Sequence, residues 1–103
     1  MIQNDSIIAL ATPSGIGAIS VIRISGEDAI NIVSKKFNSI SGKELKNQKT
    51  HTIHLGHIIE NNRIIDEVLV SVFKNPSSYT GENVVEISCH GSSYIQQEII
   101  QLF

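Results

Sequence analysis

The stretch "SIIALATPSGIGAISVIRISG", residues 6–26, decides the fold through the kind of element that succeeds its glycines. Ser6–Ala11 reads as a buried strand, Thr12–Gly17 as a turn, and Ala18–Ile24 as a second strand, because β-branched apolar residues dominate both flanks. A strand, a glycine turn and then a helix would aim a helix N-terminus at a phosphate. Here a second strand comes instead. A phosphate-binding loop also needs a lysine after its last glycine, and a dinucleotide fingerprint needs a glycine where Ser20 stands. The turn therefore reverses the chain between two strands and is no phosphate cradle.

Downstream, Ser25 with Asp28 three residues on has the pattern of a helix capping box, and Glu27 and Asp28 suit the positive end of a helix. Ala29, Ile30, Ile32, Val33 and Phe37 supply the apolar face of that helix. "NSISGKELKNQK" reads as a polar surface loop. "THTIHLGHII" and "RIIDEVLVSVF" form a hairpin across Asn61-Asn62, a pair that tolerates positive φ. "KNPSSYTGEN" is a loop, "VVEISCHG" a strand, and a closing helix begins near Ser92 or Ser93, with Gln96 placed to complete a capping box on Ser93. The order β-β-α-β-β-β-α predicts an α+β fold, a mixed β-sheet with helices packed on it.

The bulk numbers agree with one small domain. The chain has 103 residues, 41% hydrophobic and 17% charged, with two Tyr, three Phe and no Trp, so its core is aliphatic. A net charge of −2 with scattered basic residues is a poor footprint for nucleic acid, so RNA contacts are expected elsewhere. The single cysteine excludes an internal disulfide and suits a reducing, cytoplasmic setting. "MIQND" lacks the features of a signal peptide, and no run is long enough to span a membrane. The final "IIQLF" leaves apolar surface at a helix end, so either the chain continues or a partner covers it.

Strand alternation singles out the chemistry. Arg23 falls on the face opposite Ile22 and Ile24, and a cation inside an aliphatic strand calls for a partner. In "VVEISCHG", Val85, Ile87 and Cys89 share the core face, while Val84, Glu86, Ser88 and His90 line the other. Either these polar groups form a solvated outer face, or they read a ligand. A carboxylate can accept two parallel hydrogen bonds, the pair that a guanine or pterin edge offers. Cys89 and His90 point to opposite faces, so the thiol reads as buried and inert. His51 and His57 lie about 20 Å apart along one strand face with His54 opposite, so they cannot share a metal ion.

Taken together, "DSIIALATPSGIGAISVIRISG" and "IIDEVLVSVFKNPSSYTGENVVEISCHG" closely resemble the N-terminal domain of the MnmE (TrmE) family of tRNA-modification GTPases. The resemblance covers nearly all the chain. It implies an aminomethyltransferase-like folate-binding fold and a constitutive homodimer, with 1–103 forming the folate-binding and dimerisation domain. It also implies a helical domain and a GTPase domain elsewhere in the protein, the latter using GTP, Mg2+ and K+. Such proteins work with the flavoprotein MnmG on the wobble uridine (position 34) of certain tRNAs, using a one-carbon unit from 5-formyl- or 5,10-methylene-tetrahydrofolate. Arg23 matches the family's folate-contacting arginine and Glu86 its folate-contacting glutamate. No catalytic residue and no metal site are expected within 1–103, and a further contact lysine would lie beyond Phe103. Two departures stand out: Gly15-Ile16-Gly17 where many members have an arginine between the glycines, and Ser92 where many have a second glycine after His90-Gly91. The alternative is a dimerisation scaffold with little folate binding, in which Arg23 and Glu86 pair with each other or across the interface. A free-standing aminomethyltransferase-like enzyme is disfavoured by the short chain and by the lack of an acid/base set beyond Glu86 and His90.

Overall fold

The computed structural model describes residues 6–10, 19–75 and 82–103. The expected turn at Thr12–Gly17 and most of the expected loop at 74–83 lie outside them. Six strands and two helices run in the order β1 (Ile7–Leu10), β2 (Ile19–Ser25), α1 (Ala29–Ser34), β3 (Phe37–Ser39), β4 (Thr52–Glu60), β5 (Arg63–Phe73), β6 (Val84–His90) and α2 (Ser93–Leu102), with a 3₁₀ turn at Leu45–Asn47 before β4. They form one sheet in the order β1-β2-β6-β5-β4-β3. The α+β class is as expected, and in detail every pairing is antiparallel, where a mixed sheet was anticipated.

The hairpin between β4 and β5 forms where the sequence places it. Asn61 and Asn62 sit at φ 53° and 62°, the positive values that a tight two-residue turn between twisted strands requires. Between Ile58 and Ile59 the register shifts: Ile58 faces Asp66 but Ile59 faces Ile64, which leaves Ile65 as the extra residue of a bulge.

Three local expectations are corrected. Ser25 does not cap α1, because it ends β2 and is paired on both sides, to Ile7 and to Val84, which holds it extended. The chain then turns at Gly26 (φ 142°), and Asp28 occupies the N-cap without a side-chain capping bond. Phe37 is not on the helix. α1 stops at Ser34, and Phe37 opens β3 with its ring buried against Gly56, where an added Cβ would lie 2.6 Å from the ring. The polar stretch after it is likewise no plain loop: β3 extends to Ser39, and Leu45 is pinned into the core beside α1. A lone leucine among polar residues is sufficient anchor for such a turn.

The core lies on one side of the sheet. Ile22, Ile24, Val68, Val70, Val72, Val85 and Ile87 point to it, and α1 (Ala29, Ile30, Val33) and α2 (Ile99) close over them. Burying each such aliphatic side chain contributes about 1.5–3 kcal/mol, so this layer is the main source of stability. α2 is capped by Ser92, whose Oγ accepts the Ile95 N–H at 3.1 Å. Gln96 therefore takes no part in a capping box on Ser93. It is buried, and its Nε2 donates to the buried Ser20 Oγ at 2.6 Å, tying α2 to β2. The opposite face of the sheet carries Ile7, Ile19, Ile53, Leu55 and Leu69, all well exposed.

Candidate functional site

On that open face, Arg23 of β2 stands directly across from Glu86 of β6. Its Nε and Nη2 donate to the same carboxylate oxygen, Oε2, at 2.9 and 2.6 Å. The side chains retain 36% and 26% of their exposure, so the pair is half-solvated. Among the described residues Oε1 of Glu86 accepts no hydrogen bond, while the two lone pairs of Oε2 are taken by the guanidinium. The face alternation read from the sequence matches the burial at most positions: Ile22, Ile24, Val85, Ile87 and Cys89 are buried, and Arg23, Glu86 and Ser88 are not, but Val84, assigned to the outer face, is buried too at the start of β6.

Farther along β6, His90 faces Ile19 across the β2 pairing. Its backbone N–H donates to Asp66 Oδ2 at 2.8 Å, and its ring Nδ1 lies 2.7 Å from Asp66 Oδ1. Asp66 is nearly buried, with 9% side-chain exposure, whereas the imidazole keeps 70%. Sequence reasoning passed over Asp66. The available signal was a carboxylate inside the apolar run "RIIDEVLV", on the same strand face as Val68 and Val70. A cleft of roughly 230 Å³ opens beside His90, lined by Ile19, Leu55, Glu67, Leu69 and Ser88 among others.

Cys89 points the other way, into the core. Burial, with Asp66 adding to it, pushes its thiol up to about 11, so it is no nucleophile at neutral pH. The other histidines have separate surroundings. His51 packs edge-on against Phe73 at 5.2 Å, His54 sits 2.8 Å from the Thr52 hydroxyl, and His57 lies 3.5 Å from Glu67. Burial, and then Lys43, lower the basicity of His54.

An antiparallel sheet covered by helices on one side, and displaying an anchored carboxylate amid aliphatic surface on the other, defines a domain of α+β class. The chain belongs to the family described as the GTP-binding protein TrmE N-terminus, whose model matches residues 6–103. It is 68% identical over 102 residues to a Flavobacterium johnsoniae protein named tRNA modification GTPase MnmE, an alignment covering 99% of this chain and 22% of that protein. A protein of the same name from Streptococcus thermophilus is 52% identical over 100 residues, covering 97% of this chain and 21% of that one. The Geobacillus thermodenitrificans protein of that name is 45% identical over 104 residues, with 99% and 22% covered. The chain thus spans about a fifth of the length of these relatives.

Proposed function

We propose that residues 1–103 are the tetrahydrofolate-binding, homodimerising domain of a GTPase that acts with an MnmG-type flavoprotein on the wobble uridine (position 34) of certain tRNAs. The observation that carries the folate reading is the state of Glu86. Arg23 holds the carboxylate in place through one oxygen and leaves the other open toward the uncovered face. A pterin ring presents an amino group and an adjacent ring N–H as parallel donors. Oε1, with both of its lone pairs open, can accept from that edge, and Arg23 holds the carboxylate in orientation. The exposed aliphatics around it suit burial by a second copy of the domain, and an apolar face of this extent marks an interaction surface. Within these residues the role is binding; GTP, Mg2+, K+ and the hydrolysis belong to the rest of the protein. In the described residues no helix is long and apolar enough to cross a membrane, and the working location we assign is the cytoplasm.

The test is calorimetric titration of the full-length protein with 5-formyl-tetrahydrofolate beside its Glu86→Ala variant. Saturable binding that the variant loses supports the assignment, and equal binding by both overturns it. One observation favours the scaffold reading: the Arg23–Glu86 pair already satisfies its own charges. A scaffold would sediment as a dimer and show no saturable folate binding, so sedimentation alongside the titration separates the two.

A further inference from the structure

Asp66 and His90 are more than a strand-end repair. β5 and β6 are paired only as far as Leu69 and Ser88, so the His90 N–H has no ladder partner on β5. The bulge at Ile58/Ile59 falls opposite Asp66, and bulges re-aim side chains. The redirected carboxylate takes that N–H with Oδ2. One such bond closes the sheet. The second, from Oδ1 to the ring, goes further, because an ionised carboxylate only accepts and so requires the proton on Nδ1. In the neutral imidazole Nε2 is then the accepting nitrogen, and it is carried on a ring that remains largely exposed. A buried carboxylate that fixes an exposed imidazole in one tautomer is the device by which proteins present Nε2 to a ligand.

We propose that His90 is a second contact of the ligand site, with Asp66 as its positioning residue, and that Nε2 accepts a hydrogen bond from the arm of the ligand and not from its pterin ring. This rests on the folate reading of Glu86. His90 lies four residues from Glu86 on the same strand face, about 13 Å at ~3.3 Å per residue. A bicyclic pterin seated on Glu86 does not reach it, but the aminobenzoyl-glutamate arm does. That arm carries an aryl ring suited to the walls of the cleft, Ile19, Leu55 and Leu69, and N–H donors on either side of the ring.

The experiment compares two probes on the full-length protein, 5-formyl-tetrahydrofolate and 6-methyl-tetrahydropterin, which lacks the arm. His90→Asn keeps a donor facing Asp66 and removes the Nε2 position. Asp66→Asn keeps an acceptor for the His90 N–H, but turns an amide toward Nδ1 and so inverts the tautomer. Each variant should bind the folate about tenfold more weakly and the pterin unchanged, whereas Glu86→Gln should weaken both. Nitrogen-15 NMR of the wild-type ring should show a bare Nε2 that shifts when the folate is added. Unchanged folate affinity in His90→Asn, equal loss for both probes, or a ring resonance unmoved by saturating folate overturns this assignment and leaves Glu86 untouched. No saturable binding of either probe by the wild type overturns the folate reading, and this assignment falls with it.

Discussion

Arg23 grips Glu86 by a single oxygen, with Nε and Nη2 of its guanidinium both converging on Oε2, at 2.9 and 2.6 Å. A fork-to-fork pair would engage both oxygens with one N–H each. The convergent arrangement makes the same number of hydrogen bonds but places both on Oε2 and leaves both lone pairs of Oε1 open. Because both groups are half-solvated, the pair contributes little to folding, and its consequence lies in orientation.

Replacing Arg23 with Ala should therefore lower stability by no more than about 1 kcal/mol, the range of exposed ion pairs. It should weaken folate binding more than tenfold, because Glu86 loses its anchor. A double-mutant cycle of Arg23→Ala and Glu86→Ala, read by urea unfolding and by titration, checks both parts. A small coupling in stability and a large one in binding are expected; the reverse pattern would identify a structural salt bridge.

The bond between Ser20 and Gln96 has the opposite character. Both side chains are buried, and Nε2 to Oγ is 2.6 Å. Ser20→Ala removes that acceptor from a buried amide, and the expected loss is about 1–3 kcal/mol. Adding Gln96→Leu should cost less than the sum of the two single changes, since a buried polar pair is penalised mainly when half of it remains. Chemical denaturation of the four variants measures this.

The sheet was legible in the sequence where period-two alternation was strong. The four longer strands β2, β4, β5 and β6 and the outward placement of Arg23 and Glu86 derive from it, and the Asn61-Asn62 turn from that pair's tolerance of positive φ. The edge strand β1 and the start of α2 at Ser92 and Ser93 were legible as well, but the start of α1 and the opposite edge were not. Ser25 carries a helix-start signature, but its two-sided strand pairing overrides that local preference. Phe37 fits the helical spacing of Ile30 and Val33, yet β3 pairs it with Ile58. Gln96 is a polar residue that capping chemistry would claim, and burial against Ser20 claims it instead. Asp66 left one signal, a carboxylate inside an apolar run, but its role depends on a bulge and on where β5 leaves β6, neither of which has a local sequence signal.

Gly56 marks a packing constraint of the same long-range kind. An added Cβ there would meet the backbone carbonyl oxygen of Asn38 first and then the Phe37 ring, whose atoms lie 2.6 Å from where it would stand. Gly56→Ala should destabilise the domain by about 1–3 kcal/mol, through displacement of Phe37 and of the β3 edge. Thermal unfolding compares it with Gly42→Ala. At Gly42 nothing lies within 4 Å of an added Cβ, so only backbone strain at φ 76° acts. A smaller loss at Gly56 than at Gly42 would contradict the packing account.

Cys89 gives a pH dependence with a definite sign. Its thiol is raised from 9.0 to about 11 by burial and by Asp66, so the folded state holds its proton at pH values where the unfolded chain has released it. A group raised in this way stabilises the fold fully below pH 9.0, and that contribution is lost as pH climbs through about 11. Stability should accordingly fall across that window in the wild type, and fall less in Cys89→Ala, measured by urea midpoints at each pH. The same burial should make alkylation by iodoacetamide at about pH 8 at least tenfold slower in the folded protein than in the unfolded chain. Equal rates would mean that the thiol is not held in the core.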